Sequence, residues 1–255
     1  FDSGIGGLTV ANAVKKALPN ESILYFGDTE HLPYGEKSAE AIQQFSKRIT
    51  EFLITKECKL IIIACNTASS VAYDIVKQTA QGVPVINVID PVVKHVATHC
   101  QSCLIGVIGT KGTTNSQVYP KKLHLLNAKA DVTSLATPLL APMIEDGFFN
   151  DQLSQTVIDS YLSSPQLTGV DKLILACTHY PLIQETIQKY YQGKVEIIDS
   201  ASQVAEAVKA LLEKKSLLSN QAAKHQFFVS DYTDSFEESA KIFFHEEIHL
   251  EEVKL

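Results

Sequence analysis

The chain has 255 residues, 45% of them hydrophobic and 20% charged, with a formal net charge of -7. That balance belongs to a globular protein, and the negative charge speaks against nucleic acid as a partner. The longest apolar run, Leu60 to Cys65, is far short of the ~20 residues a membrane helix needs, and no basic-then-apolar leader opens the chain.

At roughly 100–200 residues per domain, the length fits one or two domains sharing a broad core. The single methionine is Met143, so residues of a first strand are expected to precede Phe1. The five cysteines, odd in number and irregular in spacing, fit a reducing compartment better than a disulfide scaffold. The expectation is a cytoplasmic enzyme.

In chain order, Gly4-Ile5-Gly6-Gly7 forms a tight turn opening a helix, and the first apolar run follows at Ile23–Phe26. Further strand-like runs fall at Leu60–Ala64, Val83–Ile89, Leu104–Ile108, Val132–Leu135, Leu173–Ala176, Val195–Ile198 and Gln226–Val229. Amphipathic stretches at Ala39–Lys56, Ala68–Thr79, Leu153–Leu162, Leu182–Tyr190 and Gln203–Leu212 separate many of them. Short continuous apolar strands between helices predict an α/β fold whose parallel sheets are buried on both faces.

Two stretches echo one another. Lys59-Leu60-Ile61-Ile62-Ile63-Ala64-Cys65-Asn66-Thr67 and Lys172-Leu173-Ile174-Leu175-Ala176-Cys177-Thr178-His179 each join an apolar strand to Ala-Cys and then to hydrogen-bonding residues. A second strand ending in an acid follows each, Val85–Asp90 in one half and Val195–Asp199 in the other. Phe1-Asp2-Ser3-Gly4 and Ile108-Gly109-Thr110 correspond as strand ends. The repeat predicts two similar domains with the active site between them, 1–91 plus 200–255 and 92–199.

In open α/β sheets ligands collect at the carboxyl ends of strands, where Cys65 and Cys177 are expected. A helix N-terminus there favours thiolate over thiol. A lone cysteine in such a place is more often a small buried hydrophobe, but two at matching positions reverse those odds. Cys58 reads as packing. Cys100-x-x-Cys103, near His95 and His99, is a conceivable zinc or redox site with poor spacing support. The glycines of 4–7 lack the spacing of either phosphate-binding fingerprint and instead present Asp2 and Ser3. Pro33-Tyr34-Gly35 is a rigid turn carrying a phenol, or an ordinary surface turn. Glu145 is a candidate acid or a solvated helix residue, and His179 is close enough to Cys177 to tune it.

Residues 1–230 resemble the cofactor-independent glutamate racemases. The resemblance is carried by Phe1-Asp2-Ser3-Gly4-Ile5-Gly6-Gly7, Tyr25-Phe26-Gly27-Asp28, Pro33-Tyr34-Gly35, Ala64-Cys65-Asn66-Thr67-Ala68-Ser69, Gly109-Thr110-Lys111 and Ala176-Cys177-Thr178-His179-Tyr180-Pro181-Leu182. It implies a two-thiol mechanism without cofactor or metal, glutamate as substrate, D-glutamate supplied for peptidoglycan, and a possible homodimer. By the same resemblance Cys65 deprotonates D-glutamate and Cys177 L-glutamate, with Asp2 assisting Cys65 and Glu145 and His179 assisting Cys177. Substrate contacts are then expected from Asp2, Ser3, Pro33, Tyr34, Gly35, Asn66, Thr67, Thr110, Thr113, Thr178 and His179.

The chain departs from the family pattern at Thr29-Glu30-His31, where many relatives carry Thr-Ala-Arg, and at Asp90-Pro91, where Glu-Pro is frequent. No chemical role is evident for the acidic tail from Phe243 to Leu255. The alternatives are a sister racemase or isomerase acting on aspartate, hydantoin or maleate, and a non-catalytic protein that kept a glutamate pocket.

Overall fold

The structure, a computed structural model, describes residues 1–100, 102–126 and 129–255. Strands and helices alternate along it. The elements up to the first Ala-Cys segment are α1 (Leu8–Ala17), β1 (Leu24–Gly27), α2 (Ala39–Thr55) and β2 (Ile61–Ile63). Then come α3 (Asn66–Val71), α4 (Tyr73–Thr79), β3 (Val85–Asn87), α5 (Ile89–His99) and β4 (Leu104–Gly109). Between β4 and the second Ala-Cys segment lie α6 (Lys111–Ser116), α7 (Val118–Leu126), β5 (Asp131–Ala136), α8 (Leu140–Glu145), α9 (Gln152–Leu162) and β6 (Lys172–Ala176). The chain finishes with α10 (Gln184–Tyr190), β7 (Glu196–Asp199), α11 (Ser200–Lys214), β8 (Gln226–Val229), α12 (Asp234–Phe244) and β9 (Leu250–Glu252).

Local chemistry explains the element ends. The Ser38 hydroxyl accepts from the Ala41 amide and starts α2, which buries Ile42, Ile49 and Leu53 along one face. Asp199 caps α11 in the same way, and Asp151 with Ser154 forms a reciprocal cap on α9. The predicted helix over Ala68–Thr79 is two helices, kinked at Ala72. Just before the kink the Ser69 and Ser70 hydroxyls bond to the carbonyls of Ile63 and Thr67.

One expectation is corrected at the end of β3. The strand stops at Asn87, because the Asn87 Oδ1 accepts from the amides of Ile89 (2.9 Å) and Asp90 (2.8 Å) and turns the chain into α5. Asp90 therefore lies in the first turn of a helix and does not end a strand, and Pro91 follows where a missing N–H costs little. The tail also has structure: β9 pairs in parallel with β8.

Four strands form one parallel sheet in the order β5-β4-β6-β7. The others pair as β1-β8-β9 and β2-β3, and Phe1–Asp2 stitches these together. The Phe1 amino group donates to Ile62 O and the Ala64 amide to Phe1 O, while the Asp2 amide donates to Phe26 O and the Asp28 amide to Asp2 O. The order is thus β3-β2-(Phe1–Asp2)-β1-β8-β9. Read from the β3 and β7 edges, the first four positions of each sheet are filled in the same chain order: fourth, third, first, second. The repeat seen in sequence is a repeat of topology, and the molecule is two similar α/β domains. Cys65 follows β2, and Cys177 follows its counterpart β6.

Cys100 and Cys103, in the turn between α5 and β4, are joined as a disulfide with Cα atoms 5.9 Å apart. Of the zinc and redox readings of this pair, a disulfide leaves no thiolate on either sulfur to ligate zinc. Cys58, Cys65 and Cys177 are free. Among the described residues no helix is long and apolar enough to cross a membrane.

Candidate active site

The carboxyl ends of the two sheets meet at a small cleft. Of the expected residues, Ser3, Pro33, Tyr34, Gly35, Cys65, Asn66, Thr67, Thr110, Glu145, Cys177, Thr178 and His179 all line it. Asp2 and Thr113 stand behind that wall. Ala176 of the repeated Ala-Cys unit completes the lining with Leu32, Ala141 and Pro142, whose apolar side chains were not among the expected site residues.

Cys65 is the N-cap of α3, with its sulfur accepting from the Ala68 amide at 3.4 Å and lying 3.7 Å from the Ser3 hydroxyl. Burial and the negative charge of Asp2 nevertheless push its thiol up to about 12, against the lowering effect of those two contacts. Asp2 is fully buried; its Oδ2 accepts from the amides of Gly4 (3.2 Å) and Gly7 (3.0 Å), and its Oδ1 has no partner.

Cys177 has different company. Its sulfur lies 3.6 Å from Nδ1 of His179, whose Nε2 faces Glu145 Oε2 at 3.7 Å, an ion-pair separation too long for a hydrogen bond. Burial opposes charging His179, but the Cys177 sulfur and the Glu145 carboxylate outweigh it and hold its pKa well above the usual imidazole value. That direction favours the protonated ring beside the Cys177 sulfur. Glu145 ends α8 with its side chain mostly buried and its Oε1 unpartnered, so it is no solvated surface acid.

The opening glycines make this arrangement possible. A Cβ on Gly6 would come within 2.4 Å of His179 Cε1 and 2.8 Å of Thr178 Oγ1. Only a residue without a side chain lets the Asp2-Ser3 turn press against the Cys177 segment. The Thr9 hydroxyl then locks the two together, contacting Gly6 O and Thr178 O at 2.9 Å each.

Opposite lies a wall of amides and hydroxyls. Thr67 Oγ1 is 2.9 Å from Thr110 Oγ1 and 3.3 Å from Thr113 Oγ1, and those two are 3.1 Å apart, so side chains from both domains share one cluster. The Tyr34 phenol donates to the buried Asp28 carboxylate at 2.5 Å, and Asp28 also accepts from Ser230 at 2.8 Å. Tyr34 is thus anchored away from solvent and its turn is no ordinary surface turn. Among the lining residues His179 is the only cation, so an anionic ligand would be held chiefly by neutral donors.

Two similar α/β domains with acid–base groups on both sides of one cleft suit an isomerase that moves a proton at a carbon held between them. The sequence pattern of the Asp/Glu/Hydantoin racemase family matches residues 8–208. A glutamate racemase of Geobacter metallireducens is 40% identical over 238 residues, covering 92% of this chain and 88% of that protein. The crystal structure of glutamate racemase from Francisella tularensis in complex with D-glutamate superposes with a TM-score of 0.93 at 40% identity, covering 100% of this chain and 96% of that one. The Bacillus anthracis glutamate racemase isoform RacE1 gives 0.94 at 38% identity over the same shares. This chain belongs to the Asp/Glu/Hydantoin racemase family, and its full-length similarity is to the glutamate racemases.

Proposed function

We propose that this protein interconverts L- and D-glutamate by proton transfer between two thiols, without an added cofactor. The observation that carries the reading is that Cys65 and Cys177, at equivalent strand ends of two similar domains, line the same cleft. Inverting a Cα–H bond requires a base on one face and an acid on the other. On L-glutamate the Cys177 thiolate takes the α-proton, forming S–H, and the C–H electron pair passes into the α-carboxylate. The Cys65 thiol then delivers its proton to the opposite face, leaving a thiolate on that sulfur. D-glutamate runs the same steps backwards.

The electrostatics suit this division. A thiol pushed up to about 12 keeps its proton at neutral pH, so Cys65 rests as the acid. The charged His179 stands beside the Cys177 sulfur, where it balances a thiolate. Ser3, Asn66, Thr67, Thr110 and Thr178 supply donors for the two substrate carboxylates.

The same reading takes 1–91 plus 200–255 and 92–199 as the two domains. It makes the protein a cytoplasmic enzyme supplying D-glutamate for peptidoglycan, and includes pairing of two copies, which the molar mass in solution would report. The deciding test is circular dichroism of L- and of D-glutamate incubated with the purified protein and no cofactor. Both solutions are expected to decay to zero ellipticity, with aspartate unchanged; persistent signals would refute the reading.

A further inference from the structure

Asn66 is the first residue of α3, directly after Cys65, and it lines the cleft. Its side chain is pinned at one end only. Oδ1 accepts from the Tyr119 phenol at 2.7 Å, while Nδ2 is buried with no hydrogen-bond partner. A buried amide N–H left without a partner is costly, and here the open side is the cleft. The two ends of an asparagine amide are opposite in function, one accepting and one donating, and rotation about the last side-chain bond is soft. Something must decide which end meets the ligand.

Tyr119 makes that decision. It lies on α7, in the stretch between β4 and β5, is 1% exposed and does not line the cleft. Burial and the carboxylate of Asp90 keep its phenol protonated, so its hydrogen needs an acceptor. Only the amide oxygen can serve, which turns the NH2 group away from Tyr119. The helix is tied to the other domain at a second point, where Lys122 pairs with Asp90 at 2.6 Å.

Resting on the glutamate reading above, we propose that Tyr119 is a positioning residue: from the opposite domain it fixes the Asn66 amide with its NH2 group facing the cleft, ready to donate to a substrate carboxylate. That contact exists before, during and after proton transfer. It therefore contributes uniform binding, which appears in KM and not in kcat.

The test is steady-state racemisation by the unaltered protein, Tyr119→Phe, Asn66→Ala and the double variant. Tyr119→Phe keeps the buried ring and is expected to raise KM about 10-fold for both enantiomers, the scale of a hydrogen bond to a charged group, with kcat changed less than about 3-fold. In the Asn66→Ala background the same change should alter KM less than about 2-fold, since nothing is left to orient. An unchanged KM in Tyr119→Phe, or a full effect persisting without Asn66, would overturn the proposal. Should Tyr119→Phe fail to fold, Asn66→Asp decides. With the phenol still holding one oxygen, the other carries charge toward the substrate, and KM must rise more than in Asn66→Ala; an equal or smaller rise refutes the orientation. Absence of racemisation by the unaltered protein would instead refute the glutamate reading.

Discussion

The Cys65 and Cys177 halves share a backbone plan and differ in almost everything that sets charge. Both thiols follow an apolar strand at the same position in a four-strand repeat. After Cys65 the chain winds directly into α3, and the sulfur takes an amide hydrogen bond as helix cap. After Cys177 comes a 3₁₀ turn, Tyr180–Ile183, and α10 begins only at Gln184. That delay leaves room for His179 beside the sulfur. One thiol faces the buried Asp2 carboxylate and the other the His179 ring, so topological symmetry coexists with chemical asymmetry.

The largest effect tests the symmetry. Cys65→Ser and Cys177→Ser should each lower racemisation by at least about 10³-fold, since a serine hydroxyl supplies neither a comparable base nor a comparable acid at neutral pH. With a glutamate analogue bearing a leaving group on Cβ, only the first deprotonation is needed. Cys65→Ser should then eliminate from the L-form and Cys177→Ser from the D-form, measured by release of the leaving group. Both variants preferring one enantiomer would break the comparison.

A smaller effect sharpens the asymmetry. Glu145→Gln removes one of the two groups holding His179 charged, so the imidazole pKa should fall toward the ordinary value, read by NMR titration of the labelled ring. Racemisation should slow by about 10-fold. Because the enantiomers have equal free energy, kcat/KM must drop equally in both directions. The side-specific loss should appear in elimination from the L-analogue.

The smallest concerns stability at alkaline pH. The unfolded Cys65 thiol ionises near 9.0, but the folded one is pushed up to about 12. Between those values the unfolded chain releases a proton that the fold retains, so stability is lost as pH rises through that window. Cys65→Ala should lose less. Near pH 10 the difference is about 1 kcal/mol, or about 2–4 °C in Tm, measured by thermal melts across pH.

Much of the fold could be read before any coordinates. Ile61–Ile63 and Lys172–Ala176 stand out because a strand buried on both faces is a continuous apolar run. The helix α5 was hidden because its start, Val88-Ile89, continues the apolar run of β3, and only the Asn87 side chain separates them. The edge strand β9 was hidden for the opposite reason: Glu251 and Glu252 look like solvated tail, although their backbone pairs with β8. Tyr119 carries no signal at all, since a tyrosine in an amphipathic helix reads as packing.

The sequence by itself determined the α/β class, the repeat and the identity of the two thiols with their immediate neighbours. These depend on strand periodicity and on residues adjacent in the chain, which local chemistry constrains. Tertiary structure alone decided how deeply Asp2 and Glu145 are buried beside their thiols, that Thr67 meets Thr110 and Thr113 across the domains, and that the Tyr119 phenol donates to Asn66. Those outcomes depend on burial and on contacts between segments distant in sequence. The free energy of a buried charge or an unpaired amide is set by whatever the fold brings beside it.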